Sequence, residues 1–155
     1  MLHLLGEYEV AIDPKGRFLV PSGFRKQLPE GEANKFVINR GFESCLTMYP
    51  MSIWQELSEK ISKINDFNPK ARDFKRLFLN GATIVELDSA DRFLLPKHLQ
   101  EFANIKKNIV FSAQVNKVEL WDKDTYYGYI NNKKDDYSQL AEEVLGGTFN
   151  PFESL

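Results

Sequence analysis

Two nine-residue stretches obey one rule, Asp-x-x-x-Arg-Phe-Leu-(Val/Leu)-Pro: "DPKGRFLVP" at residues 13–21 and "DSADRFLLP" at residues 88–96, an offset of 75. A chain that repeats itself has to be read as two copies before its elements are named. At that offset "AIDPKGRFLVPSGFRKQL" (11–28) lies over "ELDSADRFLLPKHLQEFA" (86–103). Further on, "FVINRGFESCLTMYP" (36–50) lies over "IVFSAQVNKVELWD" (109–122) at an offset of 72, with Leu46, Met48 and Tyr49 over Val118, Leu120 and Trp121. A loop three residues shorter in the second copy absorbs the change. The unit is about 45 residues, present twice, with a spacer of about 25 residues between.

Each copy reads as mostly strand. "EYEVAID" alternates polar and apolar residues, the pattern of a strand buried on one face. "GRFLVP" is a short apolar run ended by proline, and a short helix follows: "SGFRKQL" in one copy, "KHLQEFA" in the other. Two more strands close the unit, "KFVIN" and "CLTMY" joined by the Gly-containing turn "RGFES", with "NIVFSA" and "KVELW" as counterparts. The spacer reads as helices. "SIWQELSEKISKI" carries Ile53, Trp54, Leu57, Ile61 and Ile64 at helical spacing, with Ser52 and Gln55 at capping-box spacing. "NPKARDFKRLFLNG" offers Asn68 as N-cap, Pro69 at the first helical position and Gly81 past the end. "YSQLAEEVLGG" predicts a last short helix stopped at Gly146, and "TFNPFESL" a loose tail. The organisation expected is a first repeat at 5–50, a helical spacer at 51–80, a second repeat at 81–130, and an acidic helix and tail at 131–155. The fold class is α+β, mainly β. Two β-rich copies, each too small for a good core, should interleave their strands into one barrel about a pseudo-twofold axis, closing the sheet edges.

The net charge of −2 argues against a protein that coats nucleic acid indiscriminately. That charge is uneven. Residues 131–155 hold two lysines and five acids, a local −3, which leaves the rest near +1. One cysteine, Cys45 in the apolar "CLTMY", cannot form an internal disulfide and reads as a buried thiol. With two histidines, His3 and His98, the chain has too few ligands for a Cys/His zinc site, so no metal and no cofactor is expected. No run approaches the roughly 20 apolar residues of a membrane span, and "MLHLLGEYEV" has no basic n-region. A cytoplasmic location without membrane contact is expected.

In both loops an acid and a base stand four residues apart where one strand bends into the next. Pro14, Lys15 and Gly16 are turn formers or turn-compatible. An Asp at a strand end can accept the turn's N–H groups and pair with the Arg across it. Such a loop can be an ion-paired turn and nothing more. It can also be a binding element, since Lys15 and Arg17 stand close together on a short exposed loop, and a twofold pair of such loops suits a nucleic-acid surface.

These residues resemble a known family. "LLGEYEVAIDPKGRFLVPSGFRKQL", "FVINRGFESCLTMYP" followed by Trp54, "RLFLNGATIVELDSADRFLLPKHLQEFA" and "VELWD" together look like MraZ, the bacterial regulator associated with the division and cell-wall gene cluster. The resemblance covers residues 5–130. It implies two AbrB/SpoVT-like repeats forming a double-split β-barrel with helices packed around it. It also implies a ring-shaped, cyclic homo-oligomer at the nucleoid. As partner it implies double-stranded DNA, at short G-rich direct repeats upstream of the chain's own operon. By position, the DNA-binding residues are Lys15, Arg17 and Arg92, with Asp13, Gly16 and Asp88 shaping the loops. This chain departs from the pattern in the second loop, where Asp91 stands directly before Arg92 in place of the usual Gly, and Ala90 stands where a polar or basic residue is common. A carboxylate facing phosphates is repulsive, and Asp91 would occupy Arg92 in an internal pair. The first loop is therefore expected to carry most DNA contact, and the second to serve shape or oligomer contacts.

Two rival classes follow from the residues. Asp13 and Asp88 are related by the repeat as the carboxylates of an aspartic-protease dyad are, but neither is followed by Thr/Ser-Gly and each has an Arg at +4. There is no phosphate-cradling Gly-x-x-x-x-Gly-Lys and no readable nucleophile triad. No catalytic residue and no small-molecule substrate is expected. The other rival is a ring-forming protein-interaction scaffold without specific DNA binding, using Trp54, Phe74 and Phe78 on the spacer helices. Those aromatic residues would otherwise pack on the barrel or on a neighbouring subunit.

Overall fold

The computed structural model describes residues 2–147 and 150–153. The first copy contributes β1 (Leu4–Ala11), β2 (Arg17–Leu19), α1 (Ser22–Arg25), β3 (Lys35–Arg40) and β4 (Leu46–Pro50). The spacer is α2 (Met51–Ser62) and α3 (Pro69–Leu79). The second copy repeats the order: β5 (Thr83–Glu86), β6 (Arg92–Leu94), α4 (Lys97–Phe102), β7 (Asn108–Val115) and β8 (Val118–Asp122). The chain ends in α5 (Lys123–Lys133), a 3-10 turn (Lys134–Asp136) and α6 (Tyr137–Leu145). Two compact units result, one up to Lys123 and one from Asp124 onward.

The copies exchange strands. An antiparallel six-stranded sheet runs β1-β7-β8-β4-β3-β5, and β2 pairs with β6 in a separate two-stranded ribbon. β1 of the first copy thus lies on β7 of the second, and β5 of the second lies on β3 of the first. Registers locate the pseudo-twofold axis. At the central seam Thr47 faces Glu119, flanked by Leu46 opposite Leu120 and Met48 opposite Val118. In the ribbon Phe18 faces Phe93. Both facing pairs are equivalents under the repeat, at offsets 72 and 75, so the axis passes through sheet and ribbon together.

Period-two alternation sets the layers. Phe36 and Ile38 of β3, Leu46 and Met48 of β4, Ile109 and Phe111 of β7, and Val118 and Leu120 of β8 all enter one buried cluster. The ribbon and short helices cover it with Phe18, Phe93, Phe24, Leu95 and Leu99. The fully buried Phe18 and Phe93 rings lie 6.1 Å apart, and Phe111 packs edge-on against Phe24 at 4.8 Å. On the opposite face of the sheet, Tyr49 packs with Ile61 of α2 and Phe78 of α3. A buried polar link fastens α3 there: the Asn39 amide donates to the Phe78 carbonyl at 3.1 Å and accepts from the Thr47 hydroxyl at 2.8 Å. Both side chains of that link are satisfied, which keeps the cost of burying them small.

Two expectations need correction. Strands interleave, but the sheet does not close: β1 and β5 remain its two outer strands. Each instead turns sharply into β2 or β6, and those leave the sheet for the ribbon; an isolated antiparallel bridge, Ile12 opposite Phe18, spans the first turn. Ser52 does not cap α2. Pro50 occupies the N-cap, no side chain caps there, and Ser52 lies inside the helix. The long α5 was not read from the sequence at all. Asn68 does cap α3, accepting from the Lys70 N–H at 2.9 Å, and α6 ends at Gly146 as expected. Of the tail expected to be loose, 148, 149, 154 and 155 lie outside the described residues; Asn150 shapes a turn by accepting from the Phe152 N–H.

Candidate nucleic-acid interface

Loops 13–17 and 88–92 have the same internal wiring. Asp13 Oδ1 accepts from the N–H groups of Lys15 (3.0 Å) and Arg17 (2.9 Å), while Oδ2 takes Arg17 Nε at 2.8 Å. Asp88 Oδ1 accepts from Ala90 (2.9 Å) and Arg92 (2.9 Å), and Oδ2 takes Arg92 Nε at 3.0 Å. Asp13 N–H donates to the Arg17 carbonyl at 2.8 Å, as Asp88 N–H does to Arg92 at 2.9 Å. The ion-paired turn therefore exists in both copies. It holds each guanidinium by Nε alone. Among the described residues the Nη groups of Arg17 and Arg92 make no hydrogen bond, and the two side chains are 30% and 32% exposed.

The same wiring lowers both carboxyl pKa values. For Asp13 the Arg17 N–H is the largest cause, opposed in part by desolvation, with the Arg17 guanidinium and the Lys15 N–H adding to it. For Asp88 the Arg92 N–H leads, again against desolvation, followed by the Ala90 N–H and the Arg92 guanidinium. Both groups stay ionised, as an anchor for a cation must.

Each loop also docks on the other half. The Gly16 carbonyl accepts from the Leu95 N–H at 2.7 Å, and the Asp91 carbonyl from the Val20 N–H at 3.1 Å. These are equivalents at offset 75. The geometry requires left-handed backbone at the fourth loop position: φ is +87° at Gly16 and +62° at Asp91. At Gly16 there is no room for a side chain either, since a Cβ would stand 2.6 Å from Gln100 Nε2 and 3.2 Å from the Leu95 carbonyl. Asp91 fits because Arg25, the equivalent of Gln100, turns its Nη2 to the carboxylate at 3.3 Å. The partner expected for Asp91 was Arg92. The structure gives it Arg25 instead, so Arg92 keeps its own pair with Asp88 and is not withdrawn by Asp91. The pairing is imperfect, because Arg25 Nε is buried with no hydrogen-bond partner among the described residues.

The ribbon's outward face carries Arg17, Leu19, Arg92 and Leu94, with the leucines 57% and 59% exposed. Antiparallel pairing of Arg17 with Leu94 and Leu19 with Arg92 puts the two loops at opposite ends of the ribbon. Beside the first loop stand two further cations, the exposed Lys15 and Lys97 of α4. Sequence reasoning missed Lys97 and Arg25; each acts on the loop of the other copy, and only the strand exchange brings them there.

Other chemistry is sparse. Asp13 and Asp88 are saturated by their own turns at opposite ends of the ribbon, which is not the geometry of a proton-sharing dyad. His98 is exposed, with Nε2 3.2 Å from the Gly81 carbonyl. Glu43, Cys45 and Glu119 place ligand atoms within 4.8 Å of one another. Burial, then the Glu119 charge, pushes the Cys45 thiol up to about 12, so it holds its proton. Glu119 Oε1 already accepts from Gln114 and Trp121. Trp54 and Phe74 stack on the buried Phe78 at 5.6 and 5.5 Å, so these three cover the sheet rather than standing free. Phe42, 80% exposed, overhangs an apolar groove of about 450 Å³ between them and α2. Among the described residues, no helix is long and apolar enough to cross a membrane.

Residues 3–77 and 78–146 each match the family described as "MraZ protein, putative antitoxin-like". The chain is 45% identical over 147 residues to "Transcriptional regulator MraZ" of Christiangramia forsetii, covering 94% of this chain and 95% of that one. It is 43% identical to the protein of the same name from Flavobacterium psychrophilum, over 92% of each chain. For that of Cytophaga hutchinsonii the identity is 37%, over 92% of this chain and 95% of the other. Among solved structures, the solution structure of PHS018 from Pyrococcus horikoshii aligns with 77% of this chain and 91% of its own, at 15% identity and a TM-score of 0.31, an overlap that supports no further reading.

Proposed function

Since the chain belongs to the MraZ family, we propose that it is a sequence-specific DNA-binding transcriptional regulator of the division and cell-wall gene cluster. Its target is a set of short direct repeats upstream of its own operon, bound in the cytoplasm at the nucleoid by a cyclic homo-oligomer. The observation that carries this reading is the state of Arg17: anchored through Nε by an ionised Asp13, with both Nη groups directed to no protein partner. A two-stranded ribbon fits the major groove, and an arginine held this way can give two hydrogen bonds to guanine O6 and N7, worth about 1–3 kcal/mol of discrimination. Lys15 is suited to phosphate, where a compact charge positions without reading sequence. One subunit offers few cations and binds weakly; a ring repeats the patch at fixed spacing, so repeated boxes engage several at once and effective concentration multiplies weak steps.

A second reading, a ring-forming scaffold for other proteins, is favoured only by the exposed Phe42 over its apolar groove. A gel-shift series on the chain's own upstream DNA separates the two, with salt and box number varied. Wild type should bind with steep salt dependence and with affinity rising with box number. Arg17→Ala should lose site-specific binding with its oligomeric state unchanged. Equal binding by that variant would remove Arg17 from the interface, and a wild type without site-specific binding would overturn the DNA reading and leave the scaffold.

A further inference from the structure

Between residues 14–16 of the first loop and residues 94–100 of the second copy lies an open groove of about 380 Å³. Lys15 and Gly16 line it from the first copy, Lys97 and Gln100 from the second, with no carboxylate among the lining residues. Neither lysine's Nζ forms an ion pair among the described residues. Pro14 and Pro96 have no N–H, and the N–H groups of Lys15 and Gly16 are already taken by Asp13. Among the described residues, the side-chain donors left for an anion are the two ammonium groups and one hydrogen of the Gln100 amide, whose other hydrogen goes to the Leu95 carbonyl at 2.8 Å.

The pseudo-twofold axis supplies a control inside the same molecule. The second loop's equivalent of Gly16 is Asp91, of Lys15 is Ala90, of Lys97 is Ser22, and of Gln100 is Arg25. There the corresponding space is occupied by a side-chain carboxylate paired with Arg25. One position is thus open and flanked by two cations, while its counterpart is filled and flanked by none but Arg25, which is already paired. A backbone turn alone needs only the wiring that both loops share; it does not account for the lysine on α4.

We propose that this groove binds a phosphate of the DNA backbone, and that Lys97 from the second repeat completes the site begun by Lys15 in the first. The proposal rests on the DNA-binding reading. Arg17 then meets a base edge while the groove holds the neighbouring phosphate, so the interface of one loop is built from both copies. A single ion pair with phosphate is sequence-blind, and losing it should flatten the salt dependence by about one contact.

The test uses the full chain and a fluorescent upstream-DNA duplex, beside an unrelated duplex of equal length, across a salt series. Lys97→Ala should weaken binding to both duplexes about three- to tenfold and lower the slope of log affinity against log salt by about 1. Lys97→Glu should weaken both further. Ser22→Lys adds the same charge at the equivalent place on the filled side, and should leave the slope unchanged. Lys97→Ala binding both duplexes with the wild-type slope would overturn the site while Arg17→Ala still tests the reading beneath it. A slope raised by Ser22→Lys as much as Lys97→Ala lowers it would also overturn the site, because charge alone would then suffice. Wild type failing on both duplexes would remove the reading and the site together.

Discussion

The loop at residues 13–17 sets one carboxylate among two cations; the loop at residues 88–92 sets two carboxylates beside one. Their backbones run alike, hydrogen bond for hydrogen bond, and each lends a carbonyl to the other half. What differs is the side chain at the left-handed position. Glycine leaves a groove open and lets a lysine of the other copy face it. Aspartate fills that space and captures an arginine that would otherwise be a free cation. The duplicated element thus shares one backbone geometry and differs in its side chains, with an open groove at one loop and a carboxylate–arginine pair across the halves at the other.

The deepest test of that comparison lies beneath the loops. Phe18 and Phe93 face each other at the axis and are both fully buried. Replacing either by Ala should cost about 3–5 kcal/mol, with the two costs alike, as read from denaturant melts. A large inequality would break the symmetry on which the comparison stands. Next comes binding. Arg17→Ala should reduce affinity for the specific duplex about 10- to 100-fold, whereas Arg92→Ala should change it less than about threefold, given the neighbouring Asp91. Equal losses would mean that both loops read DNA.

Smaller effects concern the left-handed residue. Gly16→Ala meets strained backbone and the Leu95 carbonyl, and should lower stability by about 1–2 kcal/mol. Asp91→Gly relieves the same strain and loses only a part-exposed ion pair, so its melting curve should lie within about 0.5–1 kcal/mol of wild type. The smallest expected effect is that of pH. Folded Asp13 and Asp88 titrate below their ordinary value of 3.8. Their contribution is therefore complete above that value and fades only as pH falls through the lower folded values. Carboxyl chemical shifts in both loops should stay flat from pH 5 to 8. A titration inside that window would show one anchor to be weaker than the other.

Much of this could be read from the residues. The offset of 75 already paired Phe18 with Phe93, and the offset of 72 paired Thr47 with Glu119, so the axis was implicit in the repeat. Asn68-Pro69 and Gly81 delimited α3 because caps are local chemistry. Other features were hidden for physical reasons. In α5, Tyr126, Tyr127, Tyr129 and Ile130 share their side of the helix with Lys123 and Lys133, so no clean apolar stripe marks it. Ser52 has the spacing of a cap, but Pro50 starts the helix earlier. Sheet closure was inferred from the cost of free edges, yet β1 and β5 end by bending into the ribbon. Lys97 and Arg25 were invisible as loop partners, since their nearness depends on which copy's strand lies beside which.

Strand exchange also fixes what the spacer is for. A lone first repeat would hold a strand and the seat for a strand, with no way to fill one with the other, so it would need a second molecule to supply the match. Joining the copies through α2 and α3 makes that encounter intramolecular, and folding no longer depends on how much protein is present. The joined copies then do not have to be identical, and position 91 holds an acid where position 16 holds glycine.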